Sequence, residues 1–599
     1  MPKGMKNMRT LLLMIFAALS LSVSAQTITL NGNVKDTTGE PIIGASIVEK
    51  GNTTNGTITD LDGNFSLKVP ANATVVISYI GMKTQEIAIK GKSKIDVTLS
   101  DDAKALDEVV VIGYGTAKRK DITGSVASVN SETLAAIPVA SATEALQGKM
   151  AGVQITTTEG SPDAQMSIRV RGGGSITQSN EPLFIVDGFP VESISDIPPT
   201  DIESIDVLKD ASSTAIYGAR GANGVIIVTT KSGKEGKVSV SYNAYYAWKK
   251  VAKTLDVLSA SDYTKWQYEL AQLTNKNDDY IKYFGNYQDL DMYDNVATND
   301  WQDLTFGRTG HSFNHNLSIN GGSDKFKYSF SYSHIDDKAI MQMSDYARDN
   351  LNLKLNHKPL KNVSLDFSAR FSKTKINGGG SNDANSSLNT DKRLKYSLLY
   401  TPYPVPGISD ALNADEEDAN SLLINPLISL RDNDTRKERI NYNLAGSITW
   451  EIIKDLKLKA EVGYDDYRNN ADRYYGVTTY YVRNNVDDED KSKPAISFTR
   501  GTRTAFRSTN TLSYDFKKFF KNNKNHLNLL AGQEYIVTRE RELRNVVHGF
   551  PTEYTADDCI NYSTKGNPYE VTNYGYPDDV LFSFFGRANY DFDSKYLFS

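Results

Sequence analysis

The chain has 599 residues, of which 67 are Lys or Arg and 73 are Asp or Glu, for a formal charge of -6. That length accommodates several domains. The lack of a basic excess argues against nucleic acid as a partner, and a single cysteine, Cys559, excludes an intrachain disulfide framework.

Mean hydropathy is -0.44, and beyond the leader no run approaches the ~20 apolar residues of a membrane helix. A strand-built membrane protein stays open, because a barrel strand need only alternate. The 34 tyrosines against 4 tryptophans suit an outer-membrane barrel or a secreted β-protein.

At the start of the chain, Lys3, Lys6 and Arg9 precede an apolar run over 11–19, with Val23 and Ala25 ahead of Gln26. This is the pattern of a secretory signal, assigned to residues 1–25. No cysteine follows the cut, which argues against a lipid anchor. Residues 26–100 then alternate short β-prone runs (28–34, 46–49, 63–69, 74–79, 85–89, 94–99) with turn residues, the spacing of a β-sandwich. Asp60, Asp62 and Asn64 hint at a calcium loop, but Phe65 and Ala71 stand where that loop needs Gly and Glu, so the segment reads as a turn.

In the linker over 101–126, Asp107, Glu108, Val109, Val110, Val111, Ile112 and Gly113 set four aliphatics between acids and a glycine. An exposed run of this kind invites strand pairing. Either it adds to a partner's sheet by main-chain hydrogen bonds, or it is an edge strand of a neighbouring domain.

Residues 127–236 read as a compact α+β unit. A helix is expected over 143–149 and strands over 153–156, 166–171 and 183–186, with Asp187-Gly188 as a turn. Asp210 can cap a helix over 211–217 by accepting free first-turn N–H groups, and Gly218 stands at its stop. Gly221 and Gly224 continue the turn into an apolar strand over 225–228, of the kind covered on both faces. The glycines lie between helix and strand, whereas a phosphate cradle needs them between strand and helix, so nucleotide binding is not favoured. Arg169 and Arg171, just before Gly172, lie on one strand face. Their partners are either carboxylates of the following domain, docking the unit reversibly, or Glu203 and Asp206 within it.

From 237 to 599 the signal is period 2. Val238, Val240, Tyr242, Ala244, Tyr246 and Trp248 alternate with polar residues, and the pattern returns at Phe326/Tyr328/Phe330/Tyr332, Leu351/Leu353/Leu355, Leu444/Ile448/Trp450 and Phe582/Phe584. Such runs, near the ~9–11 residues that cross a bilayer, are the mark of a transmembrane barrel. Connections alternate too: 249–312 is long, 321–325 short, 336–345 longer, 357–361 short, 376–438 very long, 453–455 short and 468–501 long. Short periplasmic turns and long outer loops have this parity, which a soluble sandwich has no reason to keep. In the long loops Tyr263, Trp266, Leu270 and Leu273 fall at helical spacing. Trp266, Tyr474, Tyr475, Tyr480 and Tyr481 are candidate substrate contacts, with packing of the loops on themselves as the plainer reading. Asp487, Asp488, Glu489 and Asp490 are either calcium ligands or, the commoner case, a solvated acidic run. The six histidines lack metal spacing, and no nucleophile motif is present. Neither a metal, a cofactor nor an enzymatic activity is expected.

Three stretches, VRGGGSI (170–176), PLFIVDGFP (182–190) and SIDVLKDASSTAIYGARGANGVIIVTTK (204–231), closely resemble the plug domain of SusC/RagA-type TonB-linked outer-membrane transporters. DEVVVIGYG (107–115) is similar to the TonB box of that family, and residues 26–100 resemble its carboxypeptidase-regulatory-like front domain. The resemblance implies a mainly β membrane protein: a β-sandwich, an α+β plug over 127–236, then the first half of an antiparallel barrel of roughly 22 strands. The end at Ser599, after about ten strands, reads as an N-terminal portion. The implied function is import of an oligosaccharide or peptide, with TonB (driven by its ExbB/ExbD partners) pulling on 107–113 and a SusD-like surface lipoprotein acting as lid. The front domain and plug are expected on the periplasmic side. The alternatives are a siderophore or cobalamin receptor and a surface adhesin that does not transport.

Overall fold

The computed structural model describes residues 27–599 apart from 101–108, 113–114, 119–124, 158–165, 379–392, 406–423, 485–488, 517–523 and a few single positions. Two compact units result, one carrying the front domain and the other the plug and a large sheet.

The front domain is a sandwich built from β1 (Thr27–Lys35), β2 (Ser46–Glu49), β3 (Asn52–Ile58), β4 (Asn64–Pro70), β5 (Thr74–Ser78), β6 (Gln85–Ala88) and β7 (Lys94–Thr98). One sheet runs β4-β1-β7 and the other β3-β2-β5-β6. Alternate residues of β4 are buried, and Leu30, Ile47, Val69, Ile77 and Leu99 belong to the shared core. Strand β3 has no counterpart in the sequence reading, because NTTNGTI carries no apolar alternation. Asp60 is a turn residue: its Oδ1 accepts from the N–H of Asp62 (3.0 Å) and of Asn64 (2.8 Å). The linker contributes β8 (Val109–Ile112) and β9 (Gly115–Lys118), which pair with each other.

The plug contains β10 (Val126–Asn130), β11 (Val153–Thr157), β12 (Met166–Val170), β13 (Leu183–Val186), β14 (Phe189–Val191), β15 (Ile202–Leu208) and β16 (Val225–Thr230). Five of them form a mixed sheet, β10-β15-β16-β13-β14, and β11 pairs with β12 apart from it. Strand β16 is covered on both faces, as its unbroken apolar run requires. Ile226 and Val228 pack in the core with Leu134, Leu146 and Ile168, while Val225 and Ile227 pack with Ile185, Leu208 and Tyr217. Asp210 caps Ala211–Thr214 by accepting from Ser213 N at 2.9 Å. The helix expected over 211–217 keeps α-geometry for that single turn and continues as 3-10 turns to Gly221, broken at Gly218 (φ 60°, ψ -149°). The helix expected over 143–149 is likewise shorter, Ala142–Ala145, capped by Ser141.

The large sheet is antiparallel throughout. Its strands are β17 (Gly236–Lys249), β18 (Gly310–Gly322), β19 (Phe326–Lys338), β20 (Asp345–Leu360), β21 (Val363–Asn377), β22 (Thr435–Ile453), β23 (Leu456–Tyr475), β24 (Ala495–Asp515), β25 (Asn525–His548), β26 (Asn567–Gly575), β27 (Asp579–Phe592) and β28 (Tyr596–Phe598). Each pairs with the next in the chain, except that β25 pairs with β26 along its last residues and with β27 along its first. Burial is inverted relative to a water-soluble sheet. On β20 the inward residues Arg348, Asn350 and Asn352 are 2%, 5% and 8% exposed, while Leu351 between them is 39% exposed. Trp248, Val462 and Phe584 also face outward. Apolar outside and polar inside is what lipid outside and an aqueous lumen select.

Short connections alternate with long ones as expected, but three features differ. Strand β23 reaches Tyr475 and β24 starts at Ala495, so both ends of the loop expected over 468–501 are strand and the connection narrows to 476–494. Beyond the bilayer both faces are wet, apolar alternation ceases, and the ladder continues with charged neighbours such as Arg500 and Asp472 at 2.6 Å. For the same reason the 24-residue β25, whose outer half contains the run RERELR, was not expected. The sheet has 12 strands among the described residues, eleven of them before Tyr596, where the alternation suggested about ten ahead of that last strand.

Candidate functional site

The plug lies against the polar inner face of β18–β25, and the seam between them is mostly hydrogen bonds and ion pairs, with small apolar contacts at Phe189 and at Ala140, which packs on Ile335, Tyr346 and Ile376. The hairpin β13–β14 turns at Asp187 and Gly188, both at positive φ (50° and 85°), which the twisted two-residue hairpin turn requires. That tip meets the sheet on two sides. The Asp187 carboxylate accepts from Lys354 Nζ of β20 (2.7 Å) and from Thr230 N (2.9 Å) and Oγ1 (2.8 Å), while Lys354 also donates to Thr230 O (2.9 Å). Gly188 O accepts from Arg507 Nη1 of β24.

Arg507 is the centre of a longer chain of charge. Its Nη1 meets Glu461 Oε1 at 2.8 Å and its Nε meets Glu534 Oε1 at 2.9 Å. Glu534 Oε2 pairs in turn with Arg220 of the plug at 2.8 Å. Beside this network the Phe189 ring lies on Gly463 of β23, where an added Cβ would come within 2.6 Å of it.

Further along the seam, Arg348 of β20 donates from Nη1 to Ser195 O (2.8 Å) and from Nη2 to Ala140 O (2.5 Å), tying two separate plug segments. Arg439 of β22 reaches Asp196 at 3.3 Å, and Asn316 of β18 reaches Asp201 at 3.4 Å.

Burial raises the Asp187 pKa, but Lys354, Arg370 and the Thr230 hydrogen bonds outweigh it and hold the carboxyl below its ordinary value. At Asp201 burial prevails and the pKa is raised despite the Ser331 and Asn316 hydrogen bonds. A depressed folded-state pKa means that Asp187 contributes stability above its unfolded value, ~3.9, and loses it only as pH falls through the lower folded value. Protease protection of the plug should therefore stay flat from pH 7 to 5 and weaken only below ~4 through this group. The Asp187→Asn variant, which has no carboxylate to titrate, should lack that acid step. A protection curve that already declines at pH 6 and is unchanged in the variant would refute the assignment.

The residues singled out from sequence are placed as follows. Asp187 and Gly188 are at the seam. Gly172, Gly218 and Gly224 have positive φ, and Gly221 packs on Thr214. Arg169 and Arg171 are exposed, and β12 ends before Arg171. Among the described residues no ion pair joins either to the sheet, to Glu203 or to Asp206: Glu203 is met by Lys234 (3.3 Å) and Asp206 by Ser128 (2.5 Å). Docking falls instead to Arg220 and to Arg348, Lys354, Arg439 and Arg507 of the sheet. The signal that finds them is a charge on the inward parity of an otherwise alternating strand, as Lys354 is between Leu353 and Leu355.

Val109, Val110, Val111 and Ile112 form β8, while Asp107, Glu108 and Gly113 lie outside the described residues. The loop helix Ala260–Thr274 forms, but Ala260, Tyr263 and Ala271 are its packed face, against Tyr280, Phe284 and Tyr403; Trp266, Leu270 and Leu273 point outward. Tyr474 and Tyr475 are buried, and Tyr475 stacks on Tyr481 at 4.3 Å. Of the Tyr480 side chain the described residues include nothing.

A sheet that is apolar outside, polar inside and filled by an α+β plug defines a TonB-dependent receptor. Residues 118–225 match the family "TonB-dependent Receptor Plug Domain" and 30–111 the "CarboxypepD_reg-like domain". Along its whole length the chain is similar to TonB-dependent receptor SusC of Bacteroides thetaiotaomicron (33% identity, 58% of that protein) and to TonB-dependent receptor P3 of Formosa agariphila (32%, 56%). The RagAB peptide importer in its 'open-open' state matches 81% of this chain and 55% of its own at 26% identity, with a TM-score of 0.64. These matches place the chain among the SusC/RagA-type TonB-dependent receptors. The chain spans about half the length of the curated relatives it matches.

Proposed function

We propose that the protein imports a polar oligomer, an oligosaccharide or a peptide, through the outer membrane, driven by TonB and capped by a SusD-like surface lipoprotein. Residues 107–113 serve as the TonB box and, with the front domain, face the periplasm. The observation that carries this reading is the nature of the seam. The plug keeps its own apolar core and meets the sheet mainly through charged and hydrogen-bonding groups, with only small apolar contacts at Ala140 and Phe189. Such contacts exchange for water at modest cost when pulled apart, whereas a shared apolar core would not. A strand added to 107–113 would deliver that pull through main-chain hydrogen bonds, and local rather than global opening would follow. Similarity to SusC and to the RagAB peptide importer supports a transport role and a two-protein assembly.

Deleting 107–113 from the full-length protein should abolish cellular uptake of both a fluorescent oligosaccharide mixture and a fluorescent tryptic peptide mixture, leaving the amount in the outer membrane unchanged. Uptake of either mixture at the undeleted rate would refute the proposal.

A further inference from the structure

The outward face of the large sheet changes chemistry within two residues along its strands. Leu444, Tyr464, Phe506 and Val537 stand side by side across β22–β25, and the first three are exposed. Two residues nearer the long loops the row reads Tyr442, Asp466, Thr504, Arg539, and two further on Ile440, Arg468, Thr502, Arg541. These charges keep the outward parity, so they point away from the lumen and the plug.

The register places Arg468 on one side, Arg539 and Arg541 on the other, and two threonines between. Strands lie ~4.8 Å apart, so the backbones of Arg468 and Arg541, two strands apart in one row, are about 10 Å apart. Those of Arg539 and Arg541, two residues along β25, are about 7 Å apart. Side chains as long as arginine can converge from these positions on one small anion above the short threonines.

Two observations indicate the guest. The first is charge. Elsewhere on this face charges are matched, as in Lys373 with Glu438 at 2.9 Å and Arg500 with Asp472 at 2.6 Å. Here three guanidinium groups meet two carboxylates, Arg468 with Asp466 and Arg539 with Asp578, both at 2.9 Å. Arg541 is exposed and makes no ion pair among the described residues. The paired side chains of Arg468 and Arg539 stay 53% and 64% exposed, which leaves N–H donors of each fork open. Such forks match phosphate oxygens two at a time. The second is place. The apolar row lies directly beneath the arginines, on the face that meets lipid. A dissolved anion uses only the upper half of this surface, whereas a lipid uses both, its head group among the arginines and its chain along Tyr464, Phe506 and Val537.

We infer that Arg468, Arg539 and Arg541 form a site on the lipid-facing wall for the phosphate of an outer-leaflet lipid. The site lies outside the lumen, so the inference is independent of the import reading and of its cargo.

The test titrates the purified full-length protein, in neutral detergent, with lipid A that carries its phosphates and with the same lipid A after phosphatase treatment. Native mass spectrometry counts the bound lipid. Arg468→Gln/Arg541→Gln should weaken binding of the phosphorylated lipid by about tenfold or more, as expected for lost hydrogen bonds to a charged group. Arg541→Gln alone breaks no ion pair among the described residues and should weaken it severalfold. The control is Lys338→Gln/Lys375→Gln, which removes two exposed outward cations that stand opposite Asp345 and Glu438 and not beside further cations; its binding should match the wild type. Phosphatase-treated lipid should bind wild type and Arg468→Gln/Arg541→Gln equally, and 10 mM inorganic phosphate should leave the lipid in place. Equal weakening in the lysine control, equal wild-type affinity for the two lipids, or displacement by inorganic phosphate overturns the inference.

Discussion

Replacing Arg507 by Met is expected to destabilise the plugged state by about 3–5 kcal/mol, the cost of removing one partner from a buried ion pair. The side chain is 4% exposed, and that of Glu534 1%. Without the guanidinium, Glu534 keeps only Arg220, Glu461 keeps Lys459 at 2.6 Å, and the Gly188 carbonyl loses its donor. Three anchor points on β23, β24 and β25 weaken together, all around the hairpin tip. Arg507→Lys should recover only part of the loss, since a point charge cannot reproduce the forked geometry that serves two carboxylates and a carbonyl at once. The triple variant Arg507→Met/Glu461→Gln/Glu534→Gln should recover more than Arg507→Lys does, because removing all the buried charges spares the desolvation penalty that one orphaned carboxylate incurs. Arg220, about one-third exposed, can turn to water. Thermal unfolding of the purified protein gives the order of the four proteins, and entry of a large antibiotic such as vancomycin into cells reports a loosened plug. If Arg507→Met melts with the wild type and keeps vancomycin out, the network does not fasten the plug.

The elements legible in sequence were those in which one interaction dominates. Lipid on one side and water on the other impose period 2, so the rows through Tyr242, Leu353 and Trp450 were visible without structure. Asp210 and the Asp187-Gly188 turn were equally visible, because cap and turn chemistry is local. The seam was not, since it joins groups hundreds of residues apart: Arg220 and Glu534 are separated by 314 positions. Period 2 tells which face a residue occupies and nothing about what stands opposite. Arg169 and Arg171 show the limit, for their alternation placed them on a common face while the charge that docks the plug sits at Arg220. The tyrosines of the outer loops illustrate another limit. Composition marks an aromatic cluster, but only packing separates the buried Tyr475–Tyr481 stack from a surface a ligand can reach.

The inverted burial of the large sheet makes a second strong prediction, because the same substitution has opposite consequences in water and in lipid. Leu444 lies in the middle of β22, 45% exposed, in an outward row with Tyr442, Ile448 and Trp450. Were that face wet, Leu444→Arg would be nearly neutral, within ~0.5 kcal/mol. Facing the hydrocarbon it should cost about 2–4 kcal/mol near the midplane, falling to about 0–1 near the interfaces. Trp450 pairs with Val363 at the start of β21, close to the short turn, and so lies nearer an interface. Leu444→Arg should therefore sharply reduce the protein recovered in the outer-membrane fraction, and Trp450→Arg should reduce it far less. One position inward, Asn443 is buried and donates to Asp465 at 3.0 Å. There a Leu would be the harmful residue, since it leaves a carboxylate in the lumen without its donor. Polarity thus has to change sign between adjacent residues of one strand, and quantifying Leu444→Arg, Trp450→Arg and Asn443→Leu side by side tests that sign. Equal recovery of Leu444→Arg and wild type would mean that the outward row faces water, and the membrane assignment of the sheet would fall with it.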